Sequence, residues 1–243
     1  MVQRDILIKA LNKYLEVAAN PEHNGLQVQG KTEINKIAFG VSANMALFKE
    51  ADNFGADMII VHHGLFWNEV KTLTGIFGQR ISYLVKRDIN LAAYHLPLDK
   101  HKVVGNNACL AKLLNLKDIK PFGNYHGQEI GFCGKTAKPC EIKKIHTLLK
   151  GEALFCGPDK VKTVAIVSGG AHDMLEEAVL AKADLYITGS RDEYITEYCR
   201  EAKINFIAMG HYNSERLGIC ALMNYVSKKF KVKTKFIDTP NPF

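Results

Sequence analysis

The sequence lacks the spacings by which cysteine announces a metal or redox site. Its six cysteines, at 109, 133, 140, 156, 199 and 220, include no C-x-x-C pair. That excludes a zinc knuckle and a dithiol redox motif, and leaves the thiols to pack, reduced, as small apolar groups. Long apolar runs are missing too: no stretch reaches the roughly 20 residues that a bilayer span needs. The opening Met1-Val2-Gln3-Arg4-Asp5 has no signal-peptide core, so a cytoplasmic protein with no membrane partner is expected. Blocks of like charge are absent as well, because the lysines are scattered. The net charge of +7 and a pI near 9.0 would still suit a polyanion such as nucleic acid or a nucleotide.

What is present is an ordinary globular composition, 47% hydrophobic and 23% charged over 243 residues, enough for one large domain or two small ones. Ile6, Leu7, Ala10, Leu11, Tyr14 and Leu15 recur with helical spacing over 4–16, and Asn20-Pro21 is a stop. A glycine-bearing loop, Asn24-Gly25-Leu26-Gln27-Val28-Gln29-Gly30, follows. Strands are then expected near 36–41, up to His62 and up to His95, separated by helices near 44–54, 77–87 and 104–114. The middle predicts a strand over Glu129 to Cys133, a helix with Pro139 in its first turn, and a short strand over Ala153 to Cys156. From Thr163 the alternation resumes: strands over 163–167, 185–188, 204–209 and 232–237, helices over 171–182, 191–202 and 214–228. This rhythm favours parallel sheets covered by helices.

The two halves also resemble each other. Val41-Ser42, a helix and Ala56-Asp57-Met58-Ile59-Ile60 can be laid over Val167-Ser168, a helix and Ala183-Asp184-Leu185-Tyr186-Ile187; Ile89-Asn90 then falls on Ile204-Asn205. An internal duplication makes the fold class α/β, with two similar lobes, 1–122 and 123–243. Mostly parallel sheets flanked by helices and a cleft between the lobes are expected. Chance likeness of two βαβ units is the competing explanation.

Three strand ends carry metal-type ligands. Met58-Ile59-Ile60-Val61 runs into His62-His63-Gly64; Asn90 to Tyr94 runs into His95, with Asp99 four residues on; Asn205 to Met209 leads to His211, with Glu215 four residues on. Loops at the carboxyl ends of parallel strands can aim such groups into one crevice. A step of four puts His211 and Glu215 on one helix face, whereas Pro97 favours an extended loop for His95 to Asp99. A single histidine at a strand end is more often structural, but the joint pattern favours metal. Mixed imidazole and carboxylate donors suit two divalent ions, Zn²⁺, Mn²⁺ or Fe²⁺ before Mg²⁺. His101 is placed to support Asp99, while His23, His126, His146 and His172 have no such context. Ser168-Gly169-Gly170 offers backbone N–H groups to a phosphate, and Arg191-Asp192 occupies the place that the histidine pair holds in the first half.

Asn24-Gly25-Leu26-Gln27-Val28, His62-His63-Gly64, Tyr94-His95-x-Pro97-Leu98-Asp99 and Gly210-His211-x-x-x-Glu215-Arg216 resemble, in order and spacing, the YbgI or Nif-three-like family, often labelled GTP cyclohydrolase 1 type 2. The resemblance runs from about 20 to about 225. It implies a two-lobed α/β protein, assembled as a homohexameric toroid, with two metal ions in the interlobe cleft. By matching motif the implied ligands are His62, His63, Asp99, His211 and Glu215, with Asp99 and Glu215 as candidate bridges and His95 beside the site. Gly189-Ser190-Arg191-Asp192 departs from the family, in which an acidic residue often follows the glycine. The short 123–160 stretch leaves no room for the inserted domain of longer members.

Two ions of this kind lower the pKa of water and polarise the group it attacks. A hydrolase of nucleotides or other phosphorylated small molecules is therefore expected; the family label specifies GTP and water going to formate and dihydroneopterin triphosphate. His95 or Glu215 would relay the proton. The alternative is a non-enzymatic, metal-holding ring that binds nucleic acid or partner proteins through its basic surface.

Overall fold

A short β-branched run that is apolar at every residue, such as Met58-Ile59-Ile60-Val61, suits a strand covered on both faces. In the computed structural model it is β5 (Met58–His63), the centre of a five-stranded sheet. The structure describes residues 1–17, 23–67 and 72–242, so the Asn20-Pro21 stop lies outside the described residues. They fall into two compact units: Met1–Leu98 with Ile219–Pro240, and Asp99–Gly218 with the residues from Asn241 on. The division falls at 98/99 and 218/219, whereas the expected boundary at 122/123 would cut a strand, Lys117–Tyr125.

In the first unit, β4 (Lys36–Ser42), β5 and β6 (Asn90–Ala93) are parallel neighbours, with β13 (Lys233–Phe236) parallel on β4. The other edge is β2 (Gly25–Val28), antiparallel to β6, so the expected glycine-bearing loop is in part a strand. Ala38, Ile59, Val61, Leu91 and Ala93 join one core cluster with Leu47, Phe48 and Ala51 of α2 (Met45–Phe54) and Leu84 of α3 (Gly75–Lys86). The alternate residues Ile37, Phe39, Met58, Ile60 and Ala92 are also wholly buried, as a strand with both faces covered requires. Asn44 starts α2 by accepting from Leu47 N at 2.9 Å, and Gly55, at φ +71, ends it in the left-handed region. A short pair, β1 (Val2–Gln3) with β3 (Glu33–Ile34), flanks α1 (Arg4–Tyr14), which buries Leu7 and Leu11 one turn apart.

In the second unit the sheet runs β7 (Lys117–Tyr125), β8 (Gln128–Glu141), β10 (Lys160–Ile166), β11 (Leu185–Thr188), β12 (Asn205–Ala208), β9 (Glu152–Leu154). Only β10–β11 and β11–β12 are parallel. Here the expectation of a mostly parallel sheet is corrected to a mixed one, because β7, β8 and β9 enter as antiparallel partners. Pro139 lies not in a helix but in β8, within the stretch where the β8–β10 register shifts and no ladder N–H is needed. The helices are α5 (Asn106–Leu113), α6 (Ile142–Leu149), α7 (Leu175–Leu180, after a 3₁₀ turn, His172–Met174) and α8 (Ile195–Ala202). Two more, α4 (Leu96–Asp99) and α9 (His211–Phe230), contain the division between the units. Pro97 is tolerated in α4 because a first-turn residue needs no N–H donor, so the expected extended loop is a helical turn.

The two units share a polar arrangement at the starts of their strands. Asp57 Oδ2 accepts from the N–H groups of Asn35 and Lys36 at 2.8 and 3.0 Å; Asp184 Oδ2 accepts from Lys162 and Thr163 at 2.7 and 2.8 Å. Asn90 donates to Asp57 O and accepts from Gly30 N; Asn205 donates to Asp184 O and accepts from Gly157 N. Each sheet thus ties the amino ends of three neighbouring parallel strands, β4, β5 and β6 or β10, β11 and β12, with the same Asp, Asn and Gly. In each, an earlier strand, β2 or β9, returns antiparallel on the third.

Candidate metal centre

In the first unit the carboxyl ends of β5 and β6 bring three imidazoles together. His62, His63 and His95 each present a ring nitrogen within 4.8 Å of the others, and their ring centroids are 4.6, 5.1 and 5.6 Å apart. His62 is wholly buried, and its Nδ1 is 2.9 Å from Tyr94 O. A carbonyl only accepts, so Nδ1 carries the proton and Nε2 turns its lone pair toward the other rings. His63 Nδ1 is held 2.9 Å from Ser42 Oγ, at the end of β4. Three convergent nitrogens, two of them oriented from behind, fit a borderline divalent cation better than Mg²⁺.

Asn24 and Gln27, read from the sequence only as part of a motif, have a defined task in the structure. Asn24 Oδ1 accepts from His95 N at 2.7 Å. Gln27 Oε1 accepts from Leu65 N and Phe66 N at 2.8 and 3.3 Å, and its Nε2 donates to Phe66 O at 3.0 Å. Edge strand β2 and the residue just before it therefore grip the backbone at His95 and just after His63. Gly64 is required between them, since a Cβ there would overlap the Gln27 amide and stand 2.7 Å from Ala93 Cβ. Trp67 adds an edge-on contact to His95 at 4.8 Å. Sequence periodicity carries no signal for these roles, because the partners are backbone atoms far along the chain.

In the second unit the acids and His211 are held as carefully. Asp99 Oδ1 accepts from Asn106 Nδ2 at 2.8 Å and from Ser168 Oγ at 3.0 Å, while Asn107 Oδ1 accepts from Ser168 N at 2.7 Å. His211 and Glu215 lie one turn apart on α9, with Nε2 and Oε1 3.2 Å apart; Glu215 is buried. Gly169 has φ +73, and a Cβ there would overlap Glu215 Oε1 and come within 3.3 Å of His211 Nε2. Backbone passing this close to a histidine–carboxylate pair is open only to glycine. A buried carboxylate beside an imidazole is a donor set that a divalent cation satisfies.

The remaining sequence expectations resolve differently. Ser168 N and Gly169 N are already bonded to Asn107 Oδ1 and Ser214 Oγ, so these two N–H groups are not an anion cradle. His101 accepts from Val103 N and Val104 N within its own turn. Arg191 pairs with Glu152, and Asp192 accepts from Glu193 N. His146 lies 3.1 Å from Gly151 O, and His172 lies 3.0 Å from Ser190 Oγ.

A protein of Pyrococcus horikoshii bearing the name GTP cyclohydrolase 1 type 2 homolog is 42% identical over 248 residues, covering 98% of this chain and 99% of that one. Among solved structures, one titled as protein ybgI, of unknown function, has a TM-score of 0.90 at 34% identity. Another, from Thermus thermophilus, has 0.91 at 33%; both cover 100% of this chain and of their own. The motif resemblance is thereby met over the whole length. Residues 2–242 match the sequence profile of Duf34/NIF3 (NGG1p interacting factor 3), and the chain belongs to that family.

Proposed function

We propose that the histidines of the first unit and the acids and His211 of the second act together on two divalent cations, and that the protein is a metal-dependent hydrolase of the GTP cyclohydrolase 1 type 2 kind. His62, His63, Asp99, His211 and Glu215 are the ligands in this reading, with His95 beside them. The observation that carries it is the convergence of three imidazole nitrogens within 4.8 Å, with His62 fixed through Tyr94 O so that Nε2 faces inward. When bound, two such ions bring the pKa of water toward neutrality and polarise the bond under attack.

The chain's own residues do the rest. Asn106 and Ser168 hold Asp99 in one orientation through Oδ1, so its carboxylate meets a ligand without reorganising. Glu215, beside His211 Nε2, takes up the proton that water gives up, with His95 as the second candidate for that relay. The substrate is a nucleotide or another phosphorylated small molecule. For GTP and water the products are formate and dihydroneopterin triphosphate. The name borne by the Pyrococcus horikoshii relative supports this choice. A homohexameric toroid in the cytoplasm completes the reading; all six cysteines are free thiols, which suits a reducing compartment. Among the described residues no helix is long and apolar enough to cross a membrane.

The test is formate release from GTP by protein loaded with Mn²⁺ or Zn²⁺. Release that disappears in Asp99→Ala and Glu215→Ala, with the melting transition retained, supports the reading. The net charge of +7 favours one competing account, a non-enzymatic ring binding nucleic acid. That account wins if no nucleotide is turned over while nucleic-acid binding weakens steeply between low and moderate salt.

A further inference from the structure

Tryptophan occurs once in the chain, at Trp67, and it stands beside the three-histidine cluster of the first unit. Its ring centroid is 4.8 Å from that of His95, with the planes at 86°, and 6.3 Å from that of His63. Perpendicular rings meet edge to face, so His95 takes up at most one face of the indole. The residue is only partly buried. The backbone that carries it has little play. Gln27 bonds Leu65 N, Phe66 N and Phe66 O at 2.8, 3.3 and 3.0 Å, and the Phe66 ring sits edge to face on Phe77, 5.4 Å away, against the core of that unit. Two consecutive aromatics are thus put to different uses: Phe66 anchors the loop in the core, and Trp67 is set against the imidazoles.

Holding the cluster in place does not call for an indole. His62 and His63 are oriented by Tyr94 O and Ser42 Oγ, and His95 N is held by Asn24 Oδ1. What a part-exposed tryptophan adds is a rigid π face, offered at the cost of fixing only two side-chain torsions. An organic cation would be drawn to such a face, but donors suited to divalent cations make this a poor place for another positive charge. A phosphorylated sugar has no flat ring to lay there. A nucleobase has one, and every base stacks on an aromatic side chain. The reaction proposed above sets the same requirement. Its products keep the triphosphate and release a purine carbon as formate, so the base, not the phosphate chain alone, has to reach the ions.

We infer that Trp67 is the base-stacking platform of this site, so that among phosphorylated small molecules the chain selects nucleotides. The inference rests on the hydrolase reading for the identity of the site and deepens it by naming the residue that recognises the heterocycle. No bond or proton changes at Trp67; it holds the ring beside His95 and His63.

Because the tryptophan is single, its emission reports on this one side chain. Protein loaded with Zn²⁺, an ion without redox chemistry, is titrated with guanosine monophosphate and, in parallel, with ribose 5-phosphate, the same molecule without its base. The nucleotide is expected to quench Trp67 along a saturating curve, and ribose 5-phosphate to leave it unchanged. Free N-acetyltryptophanamide should show only the non-saturating quenching of collisions. In equilibrium dialysis Trp67→Leu should raise the Kd of guanosine monophosphate about tenfold, the worth of stacking one base. The Kd of ribose 5-phosphate and the bound Zn²⁺ should stay as in the wild type. Trp67→Phe, which keeps a ring, should recover most of the loss and serves if the leucine variant melts early. Emission that responds to both probes alike or to neither, a nucleotide Kd indifferent to Trp67→Leu, or loss of Zn²⁺ from both variants would each overturn the platform. If formate is still released from GTP in that event, the platform fails alone. Saturable, base-dependent quenching without formate release keeps the platform and defeats the hydrolase reading.

Discussion

Replacing Gly169 by alanine perturbs the acid half of the centre while leaving every proposed ligand in the sequence. Its φ of +73 costs an L-residue about 1–2 kcal/mol. The backbone has little freedom to relax to a negative φ, since Gly169 N is bonded to Ser214 Oγ at 2.9 Å and its O accepts from Gly189 N and Thr188 Oγ1 at 2.9 and 3.2 Å. The new Cβ would overlap Glu215 Oε1, and overpacking of a buried site adds about 1–3 kcal/mol. A loss of about 3 kcal/mol should lower Tm by about 6–12 °C in a chain of this size. Displacing Glu215 should also weaken divalent-ion binding by about 10–100-fold. Gly170→Ala is the control: its Cβ would stand 3.5 Å from His211 Cε1, an ordinary contact, and stability should change by less than about 0.5 kcal/mol. Thermal melts and Zn²⁺ titrations of both variants decide it. A Gly169→Ala protein that melts like the wild type and binds metal as tightly would refute the reasoning.

Gln27→Ala removes three hydrogen bonds behind the histidine loop. A stability loss of about 1–3 kcal/mol is expected in denaturant titrations, with weaker metal retention on dialysis. Burial would push Asp57 up, but Lys31 and the N–H groups of Asn35 and Lys36 outweigh it and hold the carboxyl below its ordinary range. Its stabilisation is then present above the unfolded value of about 3.9 and is lost as pH falls through the lower folded value. The stability gap between wild type and Asp57→Asn, measured by urea titration, should be largest near neutrality and close below about pH 4. Burial first, and the neighbouring Cys156 second, push the Cys199 thiol up to about 12. It should be among the slowest of the six to react with iodoacetamide at pH 8, as time-resolved peptide mapping would show.

Much of this architecture is legible in residue order because its strands are buried on both faces. Met58 to Val61 and Leu185 to Ile187 are apolar without a break, and Asp57 with Asn90 repeats as Asp184 with Asn205 because both sheets solve the same strand-end problem. Strand β7 escapes such reading. Lys117, Asp118, Lys120 and Pro121 look like a loop, and the segment is a strand because the backbone of β8 pairs with it. Pro139 and Pro97 mislead for a related reason, as each sits where its missing N–H is not needed. At the candidate centre the ligand types declare themselves at strand ends. The residues that orient them, Asn24, Gln27, Ser42 and Asn106, do not, since what matters about them is the backbone or side-chain atom each reaches across the fold.

Elemental analysis of protein purified without chelator bears most directly on the pair of divalent ions. The account predicts two per chain in the wild type and one or fewer in His63→Ala and in Glu215→Ala, each variant still folded. No bound cation after careful reconstitution, or a full complement retained in Glu215→Ala, would contradict it.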